Sequence, residues 1–236
     1  MQLINLYSYT SQGPRPTNQD SILAQDIAGC GLLCCVADGV GGNQGGEVAS
    51  KLALDVVLET LKNSNKTTLS EAFQTAHEKI LAKANSDDSV RGMATTITAI
   101  VLEGSKLSGA NCGDSRTYLL RGNGIQQLSK DHSEVARLLS TGKLTKETAV
   151  DYPRKNILDS ALGAHKPLQI HEYESVLEPG DRVVLVSDGV SSVISKKDFR
   201  DISKRFPILT DFGSYLINLV NERETKDNYS LVMIEV

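Results

Sequence analysis

Leu32-Leu33-Cys34-Cys35-Val36-Ala37-Asp38-Gly39-Val40 and Val183-Val184-Leu185-Val186-Ser187-Asp188-Gly189-Val190 repeat one pattern, an unbroken apolar run that stops at Asp-Gly. A run of this length, bounded by Gly and polar residues, reads as a strand covered on both faces with the Asp at its mouth. A lone carboxylate there can be no more than a turn or cap. Two from separate central strands can converge on one point, where a cation relieves their repulsion. The Gly after each Asp lets backbone pass close by and leaves a carbonyl oxygen available as a hard ligand. The pattern alone leaves both readings open, a metal site and a pair of capping residues.

Around these runs the periodicity places the remaining elements. Ser21 to Asp26 reads as a strand before the first run and, with a short opening strand, suggests a β-meander. Asp20 then opens one strand where Asp38 closes the next, and a hairpin makes them neighbours. Val48, Leu52, Val56, Val57 and Leu61 recur at helical spacing, predicting a helix over Gly46 to Leu61. Thr68-Leu69-Ser70-Glu71 is a capping-box signature for a second helix carrying Ala72, Phe73, Ala76, Ile80 and Ala84. Thr95 to Leu128 divides into four short strands, read as a meander, with turns at Glu103-Gly104, Gly113-Asp114 and Gly122-Asn123-Gly124. The polar stretch from Lys130 to His165, weakly helical around Glu134 to Leu139, reads as a surface excursion with little to bury. Strands follow at Ile170 to Leu177 and Arg182 to Ser187. Two helices come next, the clearer carrying Phe212, Tyr215, Leu216 and Leu219, before an alternating strand from Tyr229 to Ile234. Paired helices between groups of antiparallel strands predict an α+β architecture of two packed sheets with helices outside. A doubly wound parallel sheet needs single alternating crossovers, which are missing.

The 236 residues carry no linker or break in composition, so a single domain over 1–236 is expected. A hydrophobic share of 40% with 23% charged residues supports a sizeable core. The net charge of −4 argues against a nucleic-acid or anionic-membrane partner. Met1 to Thr10 lacks the features of a signal peptide and no apolar run is long enough to span a bilayer, so a cytoplasmic protein is the expectation. Cys30, Cys34, Cys35 and Cys112 form no Cys-x-x-Cys pair and read as reduced thiols. A thiolate phosphatase needs an Arg six positions after its Cys to wrap the phosphate; Cys112 has Tyr118 there, and no other Cys has the Arg.

The Gly-rich stretch from Gly39 to Gly46 lacks a following Gly-Lys-Ser/Thr and fails the Gly-x-Gly-x-x-Gly spacing, so it reads as a turn beside Asp38 rather than a nucleotide loop. Arg15, in Arg15-Pro16-Thr17-Asn18-Gln19-Asp20, can be a solvated loop charge; beside an acidic cation site it suits a phosphate. Gly113-Asp114 and Lys226-Asp227-Asn228 read alone as turns.

Taken together, the motifs resemble the metal-dependent PPM (type 2C) protein phosphatases, most closely the compact bacterial type. The resemblance runs in order along the chain: Arg15-x-x-Asn18-x-Asp20, Ala37-Asp38-Gly39-Val40-Gly41-Gly42, Gly46-Glu47-x-Ala49-Ser50, Met93-Ala94-Thr95-Thr96, Gly113-Asp114-Ser115-Arg116, Asp131-His132-Ser133, Ser187-Asp188-Gly189 and Asp227-Asn228. It implies a four-layer αββα fold, a central antiparallel β-sandwich flanked by helix pairs, with a flap at about 130–165. It also implies two Mn²⁺ or Mg²⁺ ions bridged by Asp38, with Asp20, the Gly39 carbonyl, Asp188 and Asp227 completing the set, and Asp114 for a third, weaker ion. Arg15 would bind the phosphate, and a water activated between the ions would attack phosphorus in line. The implied protein is a monomer that hydrolyses phosphoserine and phosphothreonine in proteins, opposing a bacterial Ser/Thr kinase that is itself expected among its substrates. The alternatives are a low-turnover regulatory or binding module of the same fold and a hydrolase of small phosphoesters. Three positions depart from the family pattern: Gln19 stands where many members have Glu, Val40 where many eukaryotic members have His, and Asn43 where bacterial relatives often have His. No general acid is thereby identified, and His77, His132, His165 and His171 read as structural.

Overall fold

Both Asp-Gly runs become central strands, one in each of two sheets. The structure is a computed structural model that describes residues 4–40, 45–64 and 66–236. One sheet has the order β1 (Asn5–Ser11), β11 (Tyr229–Glu235), β10 (Arg182–Val186), β7 (Arg116–Arg121) and β8 (Gly124–Gln127). The other has the order β2 (Asp20–Ile27), β3 (Gly31–Val40), β5 (Ile97–Glu103), β6 (Lys106–Cys112) and β9 (His171–Val176), with the two-residue β4 (Ala94–Thr95) added to the end of β3. Every pairing is antiparallel.

The apolar runs are explained by burial on both faces. In β3, Cys34 and Val36 join Val183 and Leu185 of β10 between the sheets, where Ile100, Val232 and Ile234 complete the layer. Leu33, Cys35 and Ala37 point the other way, onto α1 (Gly45–Asn63) and α2 (Leu69–Ser86), among Phe73 and Ile80. Val184 and Val186 meet α6 (Lys196–Arg205) and α7 (Leu209–Glu222) through Phe199, Phe212 and Leu216. Each large apolar side chain fully removed from water in this way contributes about 1.5–3 kcal/mol before entropy is counted. The result is the α+β, αββα sandwich the sequence implies. The Thr68 capping box forms as expected, with the Glu71 carboxylate returning to the Thr68 N–H. No described helix is long and apolar enough to cross a membrane.

Three expectations need correction. The first strands do not form one meander, because β1 pairs along its whole length with β11 in the opposite sheet from β2 and β3. Nor do the four strands after Thr95: the chain leaves one sheet after β6 and enters the other at β7, so Gly113-Asp114 is a crossing between sheets rather than a hairpin turn. The stretch from Lys130 to His165 contains α3 (Glu134–Ser140) and α4 (Lys146–Val150), but it is not without buried parts. Leu162 is fully buried and joins the core under α1 and α2, while Ser160, Ala161, His132 and Ser133 are also buried. Thr95 and Leu162 exchange both backbone hydrogen bonds at 3.0 and 2.9 Å, tying the end of the stretch beside the mouth of β3. A further short helix, α5 (Asp188–Ser191), starts at the second Asp-Gly and has no counterpart in the sequence reading.

Candidate functional site

The ends of the two central strands open on one cleft of about 280 Å³, lined by Asp38, Asp114, Asp188, Asp227, Arg15 and Gly39 among others. Asp20 stands directly opposite Asp38 in the β2–β3 register, as a hairpin requires. Asp188 comes just after β10, Asp114 lies in the crossing between sheets, and Asp227 comes two residues before β11. The fold thus gathers carboxylates from five separate segments.

Both Asp-Gly glycines are needed for close backbone approach. A Cβ on Gly39 would run into the carbonyl of Gly46, at the start of α1, and a Cβ on Gly189 into the carbonyl of Asn228. The crowding is therefore of backbone on backbone, and it draws α1 and the segment after α7 against the strand mouths.

Electrostatically the cleft is under tension. Burial raises the Asp20 carboxyl to about 7, with Asp188 and Asp227 adding repulsion and the hydroxyls of Ser230 and Ser187 opposing it. Burial again, then the charges of Asp20, Asp188 and Asp114, lifts Asp38 well above the ordinary carboxylate range. Asp114 is raised to about 7 by burial and by Asp188 and Asp131. Asp188 moves upward through burial and Asp227, with Arg116 and Arg15 opposing the shift. Asp227 instead finds a cation: its Oδ2 accepts from the Arg15 guanidinium at 2.7 Å, while Arg15 Nε donates to the Lys226 carbonyl at 2.9 Å. The Arg15 side chain remains half exposed.

The donor set is all oxygen, the chemistry a hard divalent cation takes. Asp20 Oδ1 and Asp188 Oδ1 are both buried without a hydrogen-bond partner, a costly state that a cation would relieve. Among the described residues no three acidic, His or Cys groups are gathered tightly enough to clasp one ion as they stand. The set is an open one whose donors suit the ion.

The supporting residues had less signal in the sequence. Asn228 accepts the Gln19 N–H at 2.9 Å and donates to the carbonyls of Gln12 and Thr17 at 2.6 and 2.8 Å, fixing the loop that carries Arg15. Thr96 receives the Asp38 N–H at 3.2 Å and pairs with Ser115 at 2.7 Å, so a buried hydroxyl pair braces the end of β3. Asn156 and Leu158, from the 130–165 stretch, line the cleft. Asn228, Thr96 and Ser115 were visible inside motifs, but nothing local announced a bracing role. Among the described residues no histidine lines the cleft: His132 Nδ1 accepts the Gly113 N–H at 3.3 Å and His77 Nδ1 that of Gly163 at 3.1 Å, as structural residues do. Val40 lines the cleft, whereas Asn43 and the middle of the Gly-rich stretch lie outside the described residues.

Comparison with known proteins places the chain in a family. The family model described as protein phosphatase 2C matches residues 15–227. The serine/threonine phosphatase stp of Listeria welshimeri is 34% identical over 211 residues, spanning 86% of this chain and 84% of that protein. The protein phosphatase PhpP of Streptococcus pneumoniae is 30% identical over 236 residues, spanning 96% and 95%. Among solved structures, the S. agalactiae serine/threonine phosphatase superposes with a TM-score of 0.91 at 31% identity, covering 99% of this chain and 100% of that one. The catalytic domain of the serine/threonine protein phosphatase PstP, solved in complex with two manganese ions, gives 0.84 at 30% identity over 98% and 97%. With the match running from Arg15 to Asp227, across the two-sheet sandwich and its acidic cleft, this chain belongs to the protein phosphatase 2C family and is a protein serine/threonine phosphatase.

Proposed function

We propose that the chain hydrolyses phosphoserine and phosphothreonine in proteins with two divalent cations, Mn²⁺ or Mg²⁺, held by Asp20, Asp38, the Gly39 carbonyl, Asp188 and Asp227, and that Asp114 serves a third, weaker ion. The observation that carries this reading is the pair of buried, unpartnered oxygens on Asp20 and Asp188, which come from different sheets and lie at the same strand mouths. When bound, such ions supply a water nucleophile at neutral pH and offset charge on the phosphoryl group.

The chain's own residues do the rest. Asp38 feels the charges of Asp20, Asp188 and Asp114 and would be one of the residues that hold the ions. Arg15, paired to Asp227 but half exposed, turns its remaining N–H groups to the phosphate oxygens and so orients the phosphoester. With Val40 at the position where many eukaryotic relatives place a histidine, solvent returns the proton to the departing serine or threonine alkoxide. The stretch from 130 to 165 acts as the flap, since Asn156 and Leu158 form part of the cleft wall that a substrate protein must pass. Its substrates are phosphoproteins made by a Ser/Thr kinase, and the enzyme works as a cytoplasmic monomer.

The deciding experiment compares Mn²⁺-dependent turnover of a phosphothreonine peptide and of a small aryl phosphate. Both are expected to be cleaved, and both reactions to stop on chelation. No turnover of either would make the chain a binding module, and turnover of the aryl ester alone would make it a small-phosphoester hydrolase.

A further inference from the structure

We infer that Ser187 is a positioning residue for the cation site: its hydroxyl, fixed by the Ser230 N–H, holds one oxygen of Asp20 so that the other is presented to the ion. This rests on the function proposed above. Ser187 is fully buried just after β10, in the opposite sheet from Asp20. Its Oγ accepts the Ser230 N–H at 2.9 Å and donates to Asp20 Oδ2 at 2.8 Å. A hydroxyl has one hydrogen, and the backbone donor occupies its lone-pair side, so that hydrogen is committed to the carboxylate. Asp20 Oδ2 is thereby engaged while Oδ1, buried and unpartnered, is left to serve. The next residue, Asp188, lines the cleft together with Asp38. Ser187 therefore reaches from the end of β10 to the carboxylate at the mouth of the β2–β3 hairpin.

A hydroxyl that merely glued the sheets together would lower stability on removal and leave cation affinity alone. Thr98 and Thr117 provide that comparison, since their buried hydroxyls pair with each other at 2.8 Å between the sheets. The test is calorimetric titration of Mn²⁺ into metal-free wild-type protein and into the Ser187→Ala, Ser187→Cys and Thr98→Val variants, with the melting temperature of each metal-free protein measured alongside. Removing a group that orients a metal ligand costs about 10- to 100-fold in affinity. Ser187→Ala is expected to weaken Mn²⁺ binding by about tenfold or more, and Ser187→Cys, which nearly keeps the volume but donates poorly, almost as much. Thr98→Val is expected to melt earlier and bind Mn²⁺ as the wild type does. Wild-type affinity in either folded Ser187 variant overturns the inference and leaves the proposed function standing. Failure of the wild type itself to bind Mn²⁺ overturns the proposed function.

Discussion

Burial disfavours the ionised form of Asp38, and three like charges, Asp20, Asp188 and Asp114, disfavour it further. Its place there costs stability in the metal-free protein. Asp38→Asn is therefore expected to abolish Mn²⁺-stimulated turnover while raising the metal-free melting temperature. Relief worth one pKa unit is about 1.4 kcal/mol, or about 3 to 5 °C for a chain of this size. An unchanged or lower melting temperature in scanning calorimetry would show that the carboxylates do not strain the fold. Asp20 adds a pH signature. Its folded value of about 7 stands above an unfolded value of about 4, so the folded state keeps the extra proton between them. The stability this contributes is whole below the unfolded value and is lost as pH climbs through the folded one. Urea midpoints of the metal-free protein should therefore fall between about pH 4 and pH 7; a flat or rising profile would remove Asp20 as its source. Arg15 acts from the cleft rim, where its guanidinium contacts Asp227 and the Lys226 carbonyl. Arg15→Ala is expected to raise KM for a phosphopeptide about tenfold or more, as loss of a charge-assisted hydrogen bond does, with a smaller change in kcat. A collapse of kcat at unchanged KM would place Arg15 in the chemical step instead.

At the level of elements, what the sequence disclosed and what it withheld divide along local and long-range lines. The Thr68–Glu71 box, the two Asp-Gly strands and the Asp20–Asp38 hairpin are readable because each signal lies within a few residues of what it specifies. The partition of strands between sheets is not. The β1–β11 ladder joins Asn5 to Glu235, and no local period distinguishes that pairing from a β1–β2 hairpin. The acidic residues of the candidate site were legible as motif members, while Ser187 and Asn228 as braces were not, because their partners lie in other segments. A local electrostatic device can be tested at this scale. Asp198 belongs to the capping box of α6 with Ser195 and accepts from Arg223, just beyond the end of α7, at 2.7 and 3.1 Å. Arg223, against partial burial, holds the Asp198 carboxyl well below the ordinary range. Its stabilisation is whole above the unfolded value of about 4 and is lost as pH falls through the folded one. Asp198→Asn should cost about 1 kcal/mol near neutrality, since Arg223 is partly exposed and screened. Urea midpoints of the two proteins should approach each other below about pH 4; a gap that persists in acid would assign the loss to packing rather than charge.

Across the whole molecule, the proposed ligand set ties cation binding to the sandwich itself. Asp20 and Asp38 belong to one sheet, Asp188 and Asp227 follow or precede strands of the other, and Asp114 lies on the chain between them. Without a cation, their repulsion acts across the sheet mouths and opposes the apolar layer that Val36, Val183, Leu185 and Val232 form between the sheets. A cation held only by the folded arrangement removes that repulsion and stabilises the fold by about 2.7 kcal/mol at a hundred times its Kd. For a chain of this size that is about 5 to 11 °C in melting temperature. Because the carboxylates proposed as ligands come from both sheets, the shift should belong to one transition of the whole chain, climbing with Mn²⁺ concentration and reversing on chelation. Protons oppose it. Asp20 and Asp114, both raised to about 7, must shed theirs to bind a cation. The same Mn²⁺ concentration should therefore raise the melting temperature less at about pH 6 than at about pH 8. Scanning calorimetry at both pH values decides the matter: a shift of equal size at both would remove the buried carboxylates as ligands, and a shift confined to part of a split transition would mean that the cation grips one sheet alone.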